Sequence, residues 1–138
     1  MKKLQLLSIS VLFLLLSSCA STPKINPLSL LTGNSWELAN LIGADLVQFS
    51  NGKPTLNFLE GGRLAGYAGC NNFSGGFLLE GANLQLDPGA MTKKACEGEG
   101  EDLFVRAIQK VNSFQVAKDK LTLLEGASEV MSFVPKKD

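Results

Sequence analysis

Along most of this chain apolar and polar residues alternate with a period of two. Thr55-Leu56-Asn57-Phe58, Asn83-Leu84-Gln85-Leu86-Asp87 and Lys120-Leu121-Thr122-Leu123 all follow that rule, which marks strands with one buried face. Glycine pairs and short polar runs punctuate them: Gly61-Gly62, Gly75-Gly76, Gly81 to Asn83, Asp87-Pro88-Gly89 and Asp119-Lys120. These are turn signals. The pattern predicts strands over 35–42, 46–49, 55–60, 63–69, 73–80, 83–87, 90–93, 114–118, 120–125 and 129–134. Many short strands joined by tight turns favour an antiparallel meander that closes or nearly closes on itself. One segment breaks the period. Leu103, Phe104, Ala107, Ile108 and Val111 fall at helical spacing, with Glu99, Glu101 and Asp102 before them and Arg106 and Lys110 after. Acids at the start and bases at the end suit the helix dipole. A helix over about 100–112 is expected, closing one mouth or face of the sheet.

The front of the chain reads differently. Lys2 and Lys3 precede the uncharged run Leu6 to Leu16, which is too short to span a bilayer as a helix but suits the apolar core of a secretory signal. The run ends in Leu16-Ser17-Ser18-Cys19, which resembles the bacterial lipobox. That resemblance implies cleavage before Cys19 and attachment of a diacylglycerol to its thiol. Each buried methylene contributes roughly 0.8 kcal/mol, so two or three acyl chains such as palmitate hold where one would not. Ala20, rather than aspartate, follows the cysteine. In a Gram-negative source this resembles lipoproteins passed to the periplasmic face of the outer membrane. The organisation expected is a lipoprotein signal peptide over 1–18, a lipid-anchored tether over 19–30 rich in Pro, Ser and Thr, and one domain over 31–134.

Removing residues 1–18 takes away two of thirteen basic residues and no acidic ones, so the mature charge is 11 − 13 = −2. No clustered basic surface points to nucleic acid. Histidine is absent, which removes Ser-His and Cys-His activation of a nucleophile and the commonest ligand of a metal site. Glu97, Glu99, Glu101 and Asp102 are read as solvated acids and helix-start charge, and Lys93-Lys94 as solvated charge without a phosphate loop. Trp36 and Tyr67, the only residues of their types, either line a cavity or pack structurally, and a buried Trp36 is the favoured alternative.

Several pieces together resemble the META domain (HslJ-like) family: Trp36-Glu37-Leu38, Leu56-Asn57-Phe58, Arg63-Leu64-Ala65-Gly66, the run Gly69-Cys70-Asn71-Asn72-Phe73-Ser74-Gly75, then Met91-Thr92-Lys93-Lys94-Ala95-Cys96, and finally Leu121-Thr122-Leu123 and Met131-Ser132-Phe133. Their order and spacing cover nearly all of the mature chain. The resemblance implies a mainly β (α+β) domain: a small, lipocalin-like antiparallel barrel or strongly curved meander carrying one helix. It also implies an envelope or secreted protein linked to stress tolerance, without established catalysis and without a cofactor.

Cys70 and Cys96 match the family's paired positions. With Cys19 lipidated, they are the two left in an oxidising compartment, where even arithmetic argues for a disulfide. Such a bond would stabilise by roughly 3–4 kcal/mol on the chain-entropy model. Free buried thiols or a redox pair are the alternatives. Asn71, Asn72 and Ser74 either cap backbone groups in a turn or form an interaction surface. The expected function is that of a non-catalytic envelope lipoprotein, held to the membrane by Cys19 and contacting another envelope protein. A carrier of a small apolar ligand and an inhibitor of an extracytoplasmic hydrolase are the competing readings.

Overall fold

The computed structural model describes residues 19–138, so the expected signal peptide lies outside the described residues. Among these residues eight antiparallel strands run in sequence order: β1 (Ser35–Leu41), β2 (Thr55–Leu59), β3 (Arg63–Tyr67), β4 (Asn72–Glu80), β5 (Asn83–Met91), β6 (Ser113–Ala117), β7 (Lys120–Glu125) and β8 (Ser128–Pro135). Each pairs with the next, and β8 returns to β1 through Leu38↔Phe133 and Leu41↔Met131. The meander therefore closes into a ring. Two helices complete the domain, α1 (Pro27–Thr32) and α2 (Gly100–Ile108).

The period-two alternation decides what fills the ring. Trp36 and Leu38 of β1, Leu56 and Phe58 of β2, Leu84 and Leu86 of β5, and Leu121 and Leu123 of β7 all point inward and are buried. With Leu64, Phe73, Phe77, Phe114, Met131 and Phe133 they form one contiguous core. Neighbouring side chains thus occupy the interior, as in other barrels of about eight strands. Phe58 and Phe77 meet edge to face at 5.2 Å between centroids, a favoured aromatic geometry. Trp36 is the structural tryptophan of the two alternatives: it is fully buried, and its indole N–H donates to the Leu31 carbonyl at 2.9 Å. That bond satisfies a carbonyl in the last turn of α1, which has no partner within the helix.

The structure redraws several element boundaries. The segment expected as a strand over 46–49 is a 3-10 turn, Leu46–Gln48, started by the Asp45 side chain, which accepts from the Val47 N–H at 3.1 Å. The strands expected over 83–87 and 90–93 are one strand, β5, with a register shift opposite Phe73 and Ser74. Pro88 is tolerated within it because β5 pairs with β6 only at Asn83↔Ser113. Its far half has no ladder partner on that side, so the missing N–H is not needed there. The segment expected as a tether over 19–30 runs into α1, which Asn26 caps through its side chain and Pro27 enters in the first turn. Helix α2 ends at Ile108 rather than near 112. Val111 is still buried, in a tight turn closed by Lys110 N–H to Ala107 O and Val111 N–H to Ile108 O.

Gly75-Gly76, a turn signal that also falls within the strand expected over 73–80, lies inside β4. A Cβ on Gly75 would overlap the Asp87 carbonyl oxygen and come within 2.6 Å of the Pro88 carbonyl carbon. At Gly76 the nearest backbone atom would be 3.2 Å away, the Gly62 oxygen. The pair permits β4 and β5 to cross closely, and Gly75 is the position that requires it. Replacing Gly75 with alanine is expected to lower stability by about 3 kcal/mol, and Gly76→Ala by clearly less. Urea titration of the two variants checks the order.

A candidate functional site at the cystine end

In an up-and-down ring the connections alternate between the two ends. The β1–β2, β3–β4 and β5–β6 connections therefore share one end, and α1 and the C-terminus share the other. The candidate residues gather where those three connections meet. Phe49, from the first connection, is buried. Its ring packs on the backbone of Gly69 and Gly100, where an added Cβ would come within 2.5 Å and 3.0 Å of it. Gly69 has φ 98°, a conformation glycine adopts without strain.

The disulfide alternative for Cys70 and Cys96 is the one present in the structure. The bond joins the β3–β4 turn to the irregular segment after β5, with Cα atoms 6.0 Å apart, a normal span for a disulfide. Cys19 is free and exposed.

Beside the disulfide, Asn71 is 4% exposed and fully bonded. Its side-chain oxygen accepts from the Lys94 N–H at 2.7 Å and the Thr92 hydroxyl at 2.9 Å. Its side-chain nitrogen donates to the Lys94 carbonyl and to Glu101 Oε1, each at 2.9 Å. Its backbone N–H donates to Glu101 Oε2 at 2.6 Å, and its carbonyl accepts from the Ala68 N–H at 2.8 Å. The amide's two donor and two acceptor positions are thus all used. One residue ties the β3–β4 turn, the segment after β5 and the first turn of α2 together.

Glu101 was read from the sequence as solvated helix-start charge. In the structure both its oxygens are taken by Asn71, and a charged acceptor makes those bonds stronger than neutral ones. Glu97, Glu99 and Asp102 are exposed, as expected of solvated acids. Of the two alternatives for Asn71, Asn72 and Ser74, Asn71 takes the capping one through the Lys94 backbone. Asn71 faces inward, while Asn72 and Ser74 are exposed on β4. Tyr67 is half-buried and its hydroxyl donates to the Asn51 carbonyl at 2.9 Å.

Two clefts flank this cluster. One, of about 340 Å³, lies between the end of β5 and α2, with Met91 and Val105 as its apolar lining and Lys93, Lys94, Asp102 and Arg106 around it. The other, of about 210 Å³, runs along Cys70, Cys96 and the Gly98–Gly100 segment. Among the described residues no three Cys, Asp or Glu side chains gather to hold a metal ion.

A family model for the META domain matches residues 29–138. The chain belongs to the META domain family. The match begins within α1. No curated protein matches the sequence. Two solved structures are similar to the META domain of this chain. A DUF4847 family protein from Bacteroides vulgatus superposes with a TM-score of 0.59 at 14% identity, covering 78% of this chain and 96% of its own. A protein solved by NMR does so with a TM-score of 0.62 at 19% identity, covering 80% and 96%. At such identities the likeness is one of fold.

Truncating Asn71 to alanine removes its side-chain hydrogen bonds to Thr92, Lys94 and Glu101 and leaves buried partners unsatisfied. A loss of about 3 kcal/mol is expected, against less than about 0.5 kcal/mol for Asn72→Ala, whose side chain is exposed. Thermal melts of the two variants measure the contrast. Peptide mapping of the mature protein without reduction should recover Cys70 and Cys96 in one crosslinked species, and alkylation of both thiols before any reduction would contradict the bond.

Proposed function

We propose that this chain is a non-catalytic lipoprotein of the bacterial cell envelope, held at a membrane by acylated Cys19. Its META domain supports envelope stress tolerance through contact with another envelope protein. The observation that carries the reading is Leu16-Ser17-Ser18-Cys19 directly after an uncharged apolar run. Cys19 stands free and exposed a few residues ahead of the first helix, which suits an attachment point. Ala20 favours the outer membrane in a Gram-negative host.

The same reading accounts for the economy of chemistry at the cystine end. Two of the three thiols are spent on a crosslink, and the best-placed carboxylate, Glu101, is spent on Asn71. What remains exposed there is a cleft of mixed lining, with Met91 and Val105 beside Thr92 and with Lys93, Lys94 and Arg106 interspersed with Glu101 and Asp102, a surface that suits recognition. An apolar-ligand carrier is less well supported, because side chains fill the interior that such a ligand would need.

Replacing Cys19 with alanine is expected to block maturation or to release the protein from membranes, read by detergent phase partitioning and intact mass. A normally cleaved Cys19→Ala chain that still partitions into detergent would overturn the anchor.

A further inference from the structure

We infer that the α1 end of the barrel lies directly on the bilayer surface, so that the cystine end faces away from the membrane. The inference rests on the anchored reading above and adds an orientation to it.

Three observations carry it. The first is reach. Cys19 and the α1 cap Asn26 are 26 − 19 = 7 residues apart, which spans at most about 25 Å fully extended. A domain of this size is itself roughly 35 Å across, so a tether this short keeps the end it joins nearest the lipid.

The second is where apolar surface is left uncovered. Seven large hydrophobic side chains are exposed. Ile25 and Leu28 lie just before and within α1. Leu59, Leu78 and Val134 lie in the last three residues of β2, β4 and β8, the strands that run toward α1. The remaining two, Ile42 and Val47, belong to the β1–β2 connection at the opposite end. The distribution is five against two, and Ile25, at 67% exposure, is adjacent to the anchor segment.

The third is local charge. Lys24 precedes Ile25, and Lys136 and Lys137 follow β8 at the same end ahead of Asp138, with the Lys136 N–H bonded to the Ser35 carbonyl at 2.7 Å; the strand ends and turns there add Arg63, Lys118 and Lys120 against Glu60, Glu80 and Asp119. Ammonium groups on flexible stems sit comfortably at headgroup level while neighbouring apolar side chains enter the acyl boundary.

The occupant is therefore a lipid surface. The consequence is that the 340 Å³ cleft and the disulfide are presented outward, where a partner can reach them.

The test uses the mature, lipidated protein in vesicles containing lipids brominated near the headgroup, which quench tryptophan on contact. Trp36 is buried and gives a constant background. In an Ile25→Trp variant the added emission should be largely quenched and blue-shifted. In a Val47→Trp variant, at the opposite end, it should stay unquenched. Introducing Leu28→Glu beside Ile25→Trp should lower the quenching, since each inserted apolar side chain contributes roughly ten-fold to local partitioning. Equal, weak quenching of both variants on protein that still floats with the vesicles would overturn the docking and leave the anchor standing. Stronger quenching of Val47→Trp would overturn it by showing the reverse orientation. Protein that carries no lipid mass and does not float at all would remove the anchor, and the docking with it.

Discussion

Between β5 and β6 the ladder of the ring shrinks to a single register pair, Asn83↔Ser113, and the architecture of the cystine end follows from how that gap is filled. Backbone groups along an open edge need partners or cover, and apolar side chains behind it need to be kept from water. Helix α2 supplies the cover. Phe104 is fully buried, with its ring 6.4 Å from both Phe73 on β4 and Phe133 on β8. Those strands stand well apart in the ring, so one side chain spans the space between two walls. Large-to-small changes at such positions cost about 3–5 kcal/mol elsewhere, which is a substantial share of the stability of a domain this size.

A helix placed by apolar packing alone could rotate or slide. Asn71 and Glu101 fix it. Glu101 projects from the first turn of α2 and takes two donors from Asn71, and Asn71 in turn holds the segment after β5. The disulfide lies beside this network and repeats the connection covalently. Polar satisfaction and crosslinking thus act on the same two connections, β3–β4 and β5–β6. By comparison, the two ion pairs on the barrel wall, Lys53–Glu37 at 3.6 Å and Lys120–Glu129 at 3.9 Å, are exposed and contribute little.

The two ends of the barrel then have different tasks. One carries a short capped helix, a proline-containing approach and uncovered apolar side chains. The other carries the crosslinked connections and two clefts. That division suits the proposed anchor at one end and recognition at the other.

Most of the strands were legible because the period of two is a local property: a residue's burial in a one-layer ring follows from its parity in the strand. Leu56, Phe58, Leu84, Leu86, Leu121 and Leu123 are each buried as that parity requires. Helix α2 was legible for the same reason at a different period. Glycine and proline were ambiguous, because one backbone freedom serves both a turn and a close crossing. Gly75 and Pro88 therefore carry turn signals and yet lie within strands, Gly75 inside the strand expected over 73–80. Asn71 and Glu101 were visible only as polar residues near a turn and near a helix start. Thirty positions separate them, and no local rule brings an amide and a carboxylate together over that distance. The sequence by itself determined which residues face inward, that a helix stands before the last strands, and that two cysteines suited pairing. Only the tertiary structure decided that the closed ring narrows to one register pair at the β5–β6 seam, that α2 covers it, and that a buried asparagine holds the helix there, because those outcomes depend on which chain segments meet and not on the order in which they are written.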